Sequence, residues 1–264
     1  MGIQRLFQFL RRYEQSVSVT SHIRGKRIAI DIFTYIHRSK GKKDQLLADI
    51  NRLIQASAHT YIVFDGSPSE ERTELLSGHA DHRQTLVKQI ERIQSAIPEV
   101  STSLSFSDRA HLNAYVRTLE QQAWTPSPRY IWEIHDALQA LGAECILGEK
   151  GVEADQILTE LATAGRVDVV ITNDSDVLAN GAPAILRPNG LYYDRAQILR
   201  GLEFDDITWK LFIELCRSES ARSDPECVFT AMKVYGADKD YIEEVFASRD
   251  GQNSVYSNNL KSRL

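Results

Sequence analysis

Acidic residues recur at four places in this 264-residue chain with a spacing that can do chemistry. Asp31 ends the segment IAID, Asp65 follows the apolar run YIVF, Glu153 and Asp155 sit two apart in GVEAD, and Asp174 and Asp176 sit two apart in ITNDSD. A pair two residues apart, at a helix start or just past a strand, offers two oxygens to one ion. Six carboxylates gathered on one rim repel one another unless a cation compensates them. Hard oxygen donors with no accompanying His or Cys select Mg²⁺ or Mn²⁺ over zinc. Two such ions suit in-line displacement at phosphorus, one activating water and the other stabilising the leaving oxygen. The chemistry these residues predict is metal-dependent phosphodiester hydrolysis.

Delivering the acids to one place needs a scaffold, and the neighbouring residues supply one. RIAI before Asp31, YIVF before Asp65 and VDVVIT before Asp174 have the length and β-branched content of buried parallel strands. An acid at the carboxyl edge of such a strand opens into the crevice where open α/β sheets bind ligands. The pattern predicts a short amphipathic helix over residues 3–13, strands at Arg27–Asp31 and Thr60–Phe64, and one or two helices between them. That βαβ order favours a parallel sheet. From about residue 70 to 128 the chain turns polar and helical, broken by Gly78, Pro98, Pro126 and Pro128, and is too long for a simple crossover. Alternation then resumes with a helix over Arg129–Leu141, a strand at Glu144–Leu147, a helix over Ala154–Ala164 and a strand at Val167–Thr172. A hairpin or short strand after Arg187 (Leu191–Tyr193) and two or three helices between Ala196 and Phe246 complete the expectation. The fold class is therefore α/β, a central, mostly parallel sheet flanked by helices. The core covers residues 1–200 with an insertion at about 70–128, a helical C-terminal region covers 201–250, and residues 251–264 read as a flexible tail.

Composition narrows the field. A chain that is 42% hydrophobic and 25% charged is an ordinary soluble globular protein. A net charge of −5 argues against a positively coated nucleic-acid binder, yet leaves room for local basic strips because the acidic cluster weighs on the sum. Cys145, Cys216 and Cys227 have no CxxC spacing, which argues against zinc ribbons and disulfide scaffolds and makes a reducing, intracellular compartment the default. No run has transmembrane length and the N-terminus lacks a signal-peptide core, so a secreted or membrane protein is not expected. Leu6 stands where N-myristoylation wants Ser or Thr.

Each motif also has a plain structural meaning. VFDG is often a turn, GVEAD fits an acidic N-cap and first helical turn, and NDSD fits a capped loop. Their joint occurrence in this order favours the chemical meaning. In that order the chain resembles the flap endonuclease/XPG family of structure-specific 5′ nucleases, within the PIN-like superfamily. The start MGIQ-L, the strand GKRIAID, YIVFDGSP, GVEADQ-L-L-AG-V and TNDSDVLA-GAP carry the resemblance, which covers roughly residues 1–220.

The resemblance implies metal ligands at Asp31, Asp65, Glu153, Asp155, Asp174 and Asp176, and a seventh acid at Glu219, with Asp224 as competitor. It implies two Mg²⁺ ions, with Mn²⁺ as a substitute. The insertion resembles the family's helical arch, whose first basic residues touch the scissile phosphate and align with Arg72 and His79. The family has Arg at the second position. A neutral imidazole is a weaker phosphate clamp than a bidentate guanidinium, and Arg83 one turn on is the candidate to compensate. Gly2 would shape the substrate junction, Lys88 and Arg92 would line the arch beside Arg109 and Arg117, and Tyr35 or His37 would stack a base unless α-helical packing buries them. Acids such as Glu91 and Asp108 dilute any basic funnel along the arch. Relatives also carry a glycine-rich helix-hairpin-helix that grips duplex; here the stretch is SARSDPECVFTAMKVYG, without those glycines, and no processivity-clamp tail follows.

The expected function is thus a 5′ flap endonuclease or 5′→3′ exonuclease on branched, nicked or 5′-flapped DNA, in the nucleus or another DNA-containing compartment. One rival is a 5′ nuclease of RNA or plain 5′ ends. The other is a non-catalytic scaffold, disfavoured because degenerate nuclease folds lose their acids first.

Overall fold

The computed structural model describes residues 3, 5–67, 83–96, 105–218, 224–240 and 242–243. Seven strands form one sheet: β1 (Gln15–Ser16), β2 (Arg27–Asp31), β3 (His59–Phe64), β4 (Glu144–Leu147), β5 (Val169–Ile171), β6 (Ala184–Leu186) and β7 (Leu191–Asp194). Their order is β1-β7-β6-β5-β2-β3-β4. β3 and β4 are parallel, with Tyr61 opposite Glu144 and Phe64 opposite Leu147, and β5 and β6 are parallel with Val170 opposite Ile185. The β6–β7 and β7–β1 pairs are antiparallel. The expected parallel pairing is present, with an antiparallel edge in which the expected strand β7 lies between β6 and β1, two strands too short to show a period in the sequence. β1, β6 and their pairings are additions to the elements read from the chain.

The backbone divides into two compact units, residues 1–28 with 158–264, and residues 29–157. In the second unit Asp31 both ends β2 and caps α3 (Ile32–Ser39), accepting from the amides of Phe33 and Thr34. α3 ends where Lys40 and Gly41 take positive φ, and α4 (Lys43–Ala56) begins two residues on. A side chain at Gly41 would stand 2.9 Å from Trp124 Nε1, so this break requires glycine for space as well as backbone angle. The two helices expected between β2 and β3 are these. α4 buries Leu46, Ile50 and Leu53 at helical spacing, and α7 (Pro128–Ala140) buries Ile134 and Leu138. Ser127 caps α7 through the Tyr130 amide with Pro128 in the first turn, which is why this helix starts where the sequence predicts. The core here is Ile30, Ile32, Ile36, Ile62, Val63 and Phe64 among others.

Within the insertion, residues 83–96 (α5) and Phe106–Ala123 (α6) are helical. Ser105 opens α6, accepting from the Asp108 amide and donating to the Asp108 carboxylate at 2.6 Å. Leu86 and Ile90 on α5 pack with Val116 and Leu119 on α6, flanked by Ile93 and Ala123. The helical insertion therefore carries an apolar seam of its own.

In the first unit α1 (Leu6–Phe9) runs into a 3₁₀ turn over Leu10–Tyr13, splitting the single N-terminal helix expected, and α2 (Val19–His22) follows β1. α8 (Ala154–Thr163) leads into this unit from the second, and α9 (Asp176–Ala179), α10 (Arg195–Leu202), α11 (Asp206–Arg217) and α12 (Pro225–Tyr235) follow β5. Asp194, Asp205 and Asp224 cap the last three through backbone amides. Leu6, Leu10, Ile23, Val170, Ile185, Tyr193, Trp209 and Phe212 form its core. Burial, helped by the bond from Tyr193 to Glu14, pushes the Tyr193 hydroxyl up to about 12, so it stays a donor to that carboxylate throughout the neutral range. Among the described residues no helix is long and apolar enough to cross a membrane.

The seam between α5 and α6 predicts a local effect. Leu119→Ala is expected to cost about 2–3 kcal/mol in the helical pair, the scale of a buried leucine truncation. Hydrogen exchange should accelerate over residues 83–96 and 106–123 while β3 and β4 keep their protection.

Candidate metal centre

Four of the six acids lie in the second unit. Asp31 accepts from the Phe33 amide at 3.0 Å and the Thr34 amide at 3.3 Å on Oδ1, and from the Thr34 hydroxyl at 2.6 Å on Oδ2. The cap and the ligand are compatible, since an ionised carboxylate has about four lone-pair sites. Asp65 follows β3 directly and its Oδ1 accepts from the Ala154 amide at 2.7 Å. That bond joins Asp65 to the segment that carries Glu153 and Asp155, 89 positions on.

What permits this is the glycine of VFDG. Gly66 donates to the Val152 carbonyl at 2.9 Å, and Gly148 donates to the Phe64 carbonyl at 3.0 Å. A Cβ on Gly66 would collide with the Glu149 carbonyl oxygen, and one on Gly148 would stand 2.7 Å from Gly66 N and 2.7 Å from Val152 O. The Asp-Gly here is no free turn. It is a place where two backbones meet, and it binds the second acidic segment to the third.

The remaining two acids lie in the first unit, at the end of β5. Thr172 is fully buried and its hydroxyl accepts from the Asp174 amide at 2.9 Å. Asp174 Oδ1 accepts in turn from the Asp176 amide at 2.9 Å, so the two acids of NDSD are joined through their own backbone. Asp176 opens α9 and is buried, with Oδ1 accepting from the Ile3 amide at 3.2 Å. Trp209, completely buried on α11, donates from its indole to the Ala179 carbonyl at 3.1 Å and so holds the far end of α9. Arg187 lies 4.8 Å over the Phe7 ring and donates to Asn173 Oδ1 at 3.2 Å, bracing the loop between β5 and α9. Thr34, Thr172, Trp209 and Ile3 are supports the motif reading did not single out; a hydroxyl three residues after Asp31 and another two before Asp174 were the available signals.

Chemically, the donor set is all oxygen, with neither imidazole nor thiolate in the four motifs, which fits a hard divalent cation. Among the described residues no three His, Cys, Asp or Glu side chains are gathered closely enough to hold an ion as they stand. Asp31, Asp65, Asp155, Asp174 and Asp176 are engaged by nearby backbone amides.

The other expected positions divide. Tyr35 is 5% exposed and desolvation raises its hydroxyl pKa, so α3 turns it into the core and it presents no face to a base. His37, two residues on, is exposed. Arg83 is exposed at the start of α5 and donates to the Thr125 hydroxyl at 2.9 Å, and Lys88, Arg92, Arg109 and Arg117 are exposed along the helical pair. Asp224 serves as the cap of α12 and faces Arg5 at 3.7 Å, a structural use of the competitor for the seventh acid. Gly2, Arg72, His79, Glu219 and the 251–264 tail lie outside the described residues.

With this geometry in hand, known proteins can be set beside the chain. Residues 150–209 match the family model described as the XPG I-region. Exonuclease 1 of Xenopus laevis is 24% identical over 216 residues, covering 75% of this chain and 27% of that protein. Flap endonuclease 1 of Cryptosporidium parvum is 26% identical over 208 residues, covering 69% of this chain and 39% of that protein. The chain thus spans well under half the length of these relatives. Among solved structures, the catalytic core of Rad2 in complex with DNA substrate aligns over 100% of this chain and 79% of its own with a TM-score of 0.62 at 18% identity. Flap endonuclease-1 from Methanococcus jannaschii aligns over 93% of this chain and 84% of its own at 0.57 and 14% identity. At these identities the structural likeness establishes the fold.

Two substitutions test how the acids are held. Gly66→Ala should lower the melting temperature sharply or abolish folding, because backbone must move to admit the methyl group. Trp209→Phe keeps the ring volume of the core in part and removes one buried donor, and is expected to cost about 1–3 kcal/mol in denaturant unfolding. A Gly66→Ala protein as stable as its parent would mean that the loop over residues 148–152 does not pack against β3 as described.

Proposed function

We propose that the chain is a member of the XPG-type nuclease family, on the match of residues 150–209 and the likeness to exonuclease 1 and flap endonuclease 1, and that it is a divalent-metal-dependent phosphodiesterase, cutting 5′-flapped, nicked or otherwise branched DNA as an endonuclease and 5′→3′ exonuclease. The observation that carries the proposal is the survival of all six motif acids, each on a supported backbone, in a fold shared with nucleases of this type. The named relatives are an exonuclease and a flap endonuclease, and one structural neighbour was solved in complex with DNA substrate. Another neighbour, GEN1, was solved with product DNA and a Mg²⁺ ion, which supports the choice of cofactor.

Asp31, Asp65, Glu153, Asp155, Asp174 and Asp176 would hold two Mg²⁺ ions, Mn²⁺ substituting, with Glu219 as the seventh acid. When bound, such ions supply a hydroxide at neutral pH and stabilise the leaving oxygen. The chain's own part is to fix its carboxylates in advance, the amides of Phe33, Ala154, Asp176 and Ile3 each donating to one oxygen and so orienting the carboxylate for ligation. Arg72 and Arg83, with His79 between them, would steady the scissile phosphate, and Gly2, His37, Lys88 and Arg92 would guide the strand. We assign residues 1–200 to the nuclease core and 201–250 to a helical C-terminal region, acting in an intracellular, DNA-containing compartment. His79 in place of Arg and the lost glycines of the duplex grip favour, as a second reading, a 5′ nuclease of RNA or plain 5′ ends.

The test is cleavage of 5′-labelled flap, nicked, blunt and single-stranded substrates, in DNA and RNA, with Mg²⁺, Mn²⁺ or EDTA. Metal-dependent cuts at the flap junction are expected, falling by about two to three orders of magnitude in Asp174→Ala, the scale of losing one electrostatic stabiliser of the transition state. Cuts confined to RNA or plain ends select the second reading. No cleavage of any substrate would overturn the enzyme proposal.

A further inference from the structure

Arg217 closes α11 and stands outside every motif named above and outside the matched region over residues 150–209. Its guanidinium Nη2 donates to Asn180 Oδ1 at 2.8 Å and lies 3.4 Å from Asp176 Oδ1. The first contact is a hydrogen bond; the second is a charge contact beyond good hydrogen-bond length. The side chain of Asp176 is 12% exposed and that of Arg217 is 44% exposed, so the cation reaches a sheltered carboxylate from the solvent side. A carboxylate held out of water needs donors or a counter-charge. The Ile3 amide supplies one donor, and it binds the same oxygen, Oδ1, at 3.2 Å. Both partners therefore fall on Oδ1, and among the described residues Asp176 Oδ2 has no hydrogen-bond partner. Asn180 is itself placed by α9, its amide donating to the Asp176 carbonyl at 2.8 Å. The anchor for the guanidinium and the carboxylate it faces are thus fixed on one short turn.

Resting on the metal reading above, we propose that Arg217 is a positioning residue, a built-in counter-cation that keeps Asp176 Oδ1 occupied, presents Oδ2, and competes with a divalent ion for the charge of this carboxylate. Asn180 holds the guanidinium near enough to balance Asp176 in the absence of an ion. The long contact to Oδ1 lets it yield when an ion arrives. Its positive charge also weakens the attraction of the site for that ion by like-charge repulsion.

The test is Mn²⁺ titration of the full chain followed by electron paramagnetic resonance, with melting temperatures measured with and without the ion. Arg217→Met keeps the apolar stem and removes the charge. It is expected to bind Mn²⁺ about fivefold tighter, the scale of one partly exposed charge contact, to melt lower than its parent without metal, and to gain more from saturating Mn²⁺. Arg217→Lys keeps the charge and should retain the parent's affinity. A merely structural arginine would lower the metal-free melting temperature and leave the Mn²⁺ dissociation constant alone. An unchanged or weaker affinity in Arg217→Met, while parent binding is lost in Asp174→Asn, overturns the role of Arg217 and leaves the metal site intact. No Mn²⁺ binding by the parent, or binding indifferent to Asp174→Asn, overturns the metal reading and this inference with it.

Discussion

The close approach of the backbone at Gly66 to the loop over residues 148–152 is the constraint on which the acids of the second unit depend. β3 and β4 run parallel, and where they end their chains stay in contact through Gly148 to Phe64 and Gly66 to Val152. No side chain fits between them. The Ala154 amide can therefore reach Asp65, which ties the start of α8, with Glu153 just before it and Asp155 in its first turn, to the end of β3. A residue with no functional group sets the spacing of those that have one. The energetic logic is familiar from other close backbone contacts: glycine is costly in conformational entropy, and that cost is offset only where nothing else can occupy the space.

The first unit solves a different problem. Asp176 is among the few buried polar or charged residues, and a carboxylate in such a place must be satisfied locally. Backbone amides do most of this work, from Ile3 across the chain and from the turn that Asp174 closes. α9 is only four residues long and has no stability of its own. It is held by the indole of Trp209 at one end and by Ile3 at the other. The N-terminal segment is thereby tied to a residue 173 positions away.

How much of this the sequence discloses follows from length and period. β2, β3 and β4 and helices α4, α7 and α8 are legible because apolar runs, helical spacing and the proline break at Pro128 act within a single segment. β1 is only two polar residues and β6 only three apolar ones, too short for either to carry a period; pairing with β7 and β5 makes them strands. The acids were legible by type and order. Their supports were not, because a threonine, a tryptophan or an N-terminal isoleucine has no distinctive spacing and acquires its role only through a contact far along the chain. Tyr35 is the converse case: an aromatic beside an acidic motif, whose burial is set by the apolar face of α3 shared with Ile32 and Ile36. Arg217 escaped notice for the same reason, since a lone basic residue at a helix end is ordinary until the opposite carboxylate is seen.

The seam of Leu86, Ile90, Val116 and Leu119 has a consequence for how this protein changes over time. Because those side chains hold α5 to α6, the outward positions of both helices are left with no packing duty, and exposed substitutions of that kind typically shift stability by no more than about 0.5 kcal/mol. Residues such as Lys88, Arg92, Arg109 and Arg117 are therefore open to drift, as are the acids between them. Charge along this pair can be gained, lost or inverted by single mutations at a small cost in folding. The helical pair is the evolvable part of the molecule, free to explore new partners while the carboxylates, locked to their glycine and their amides, stay as they are.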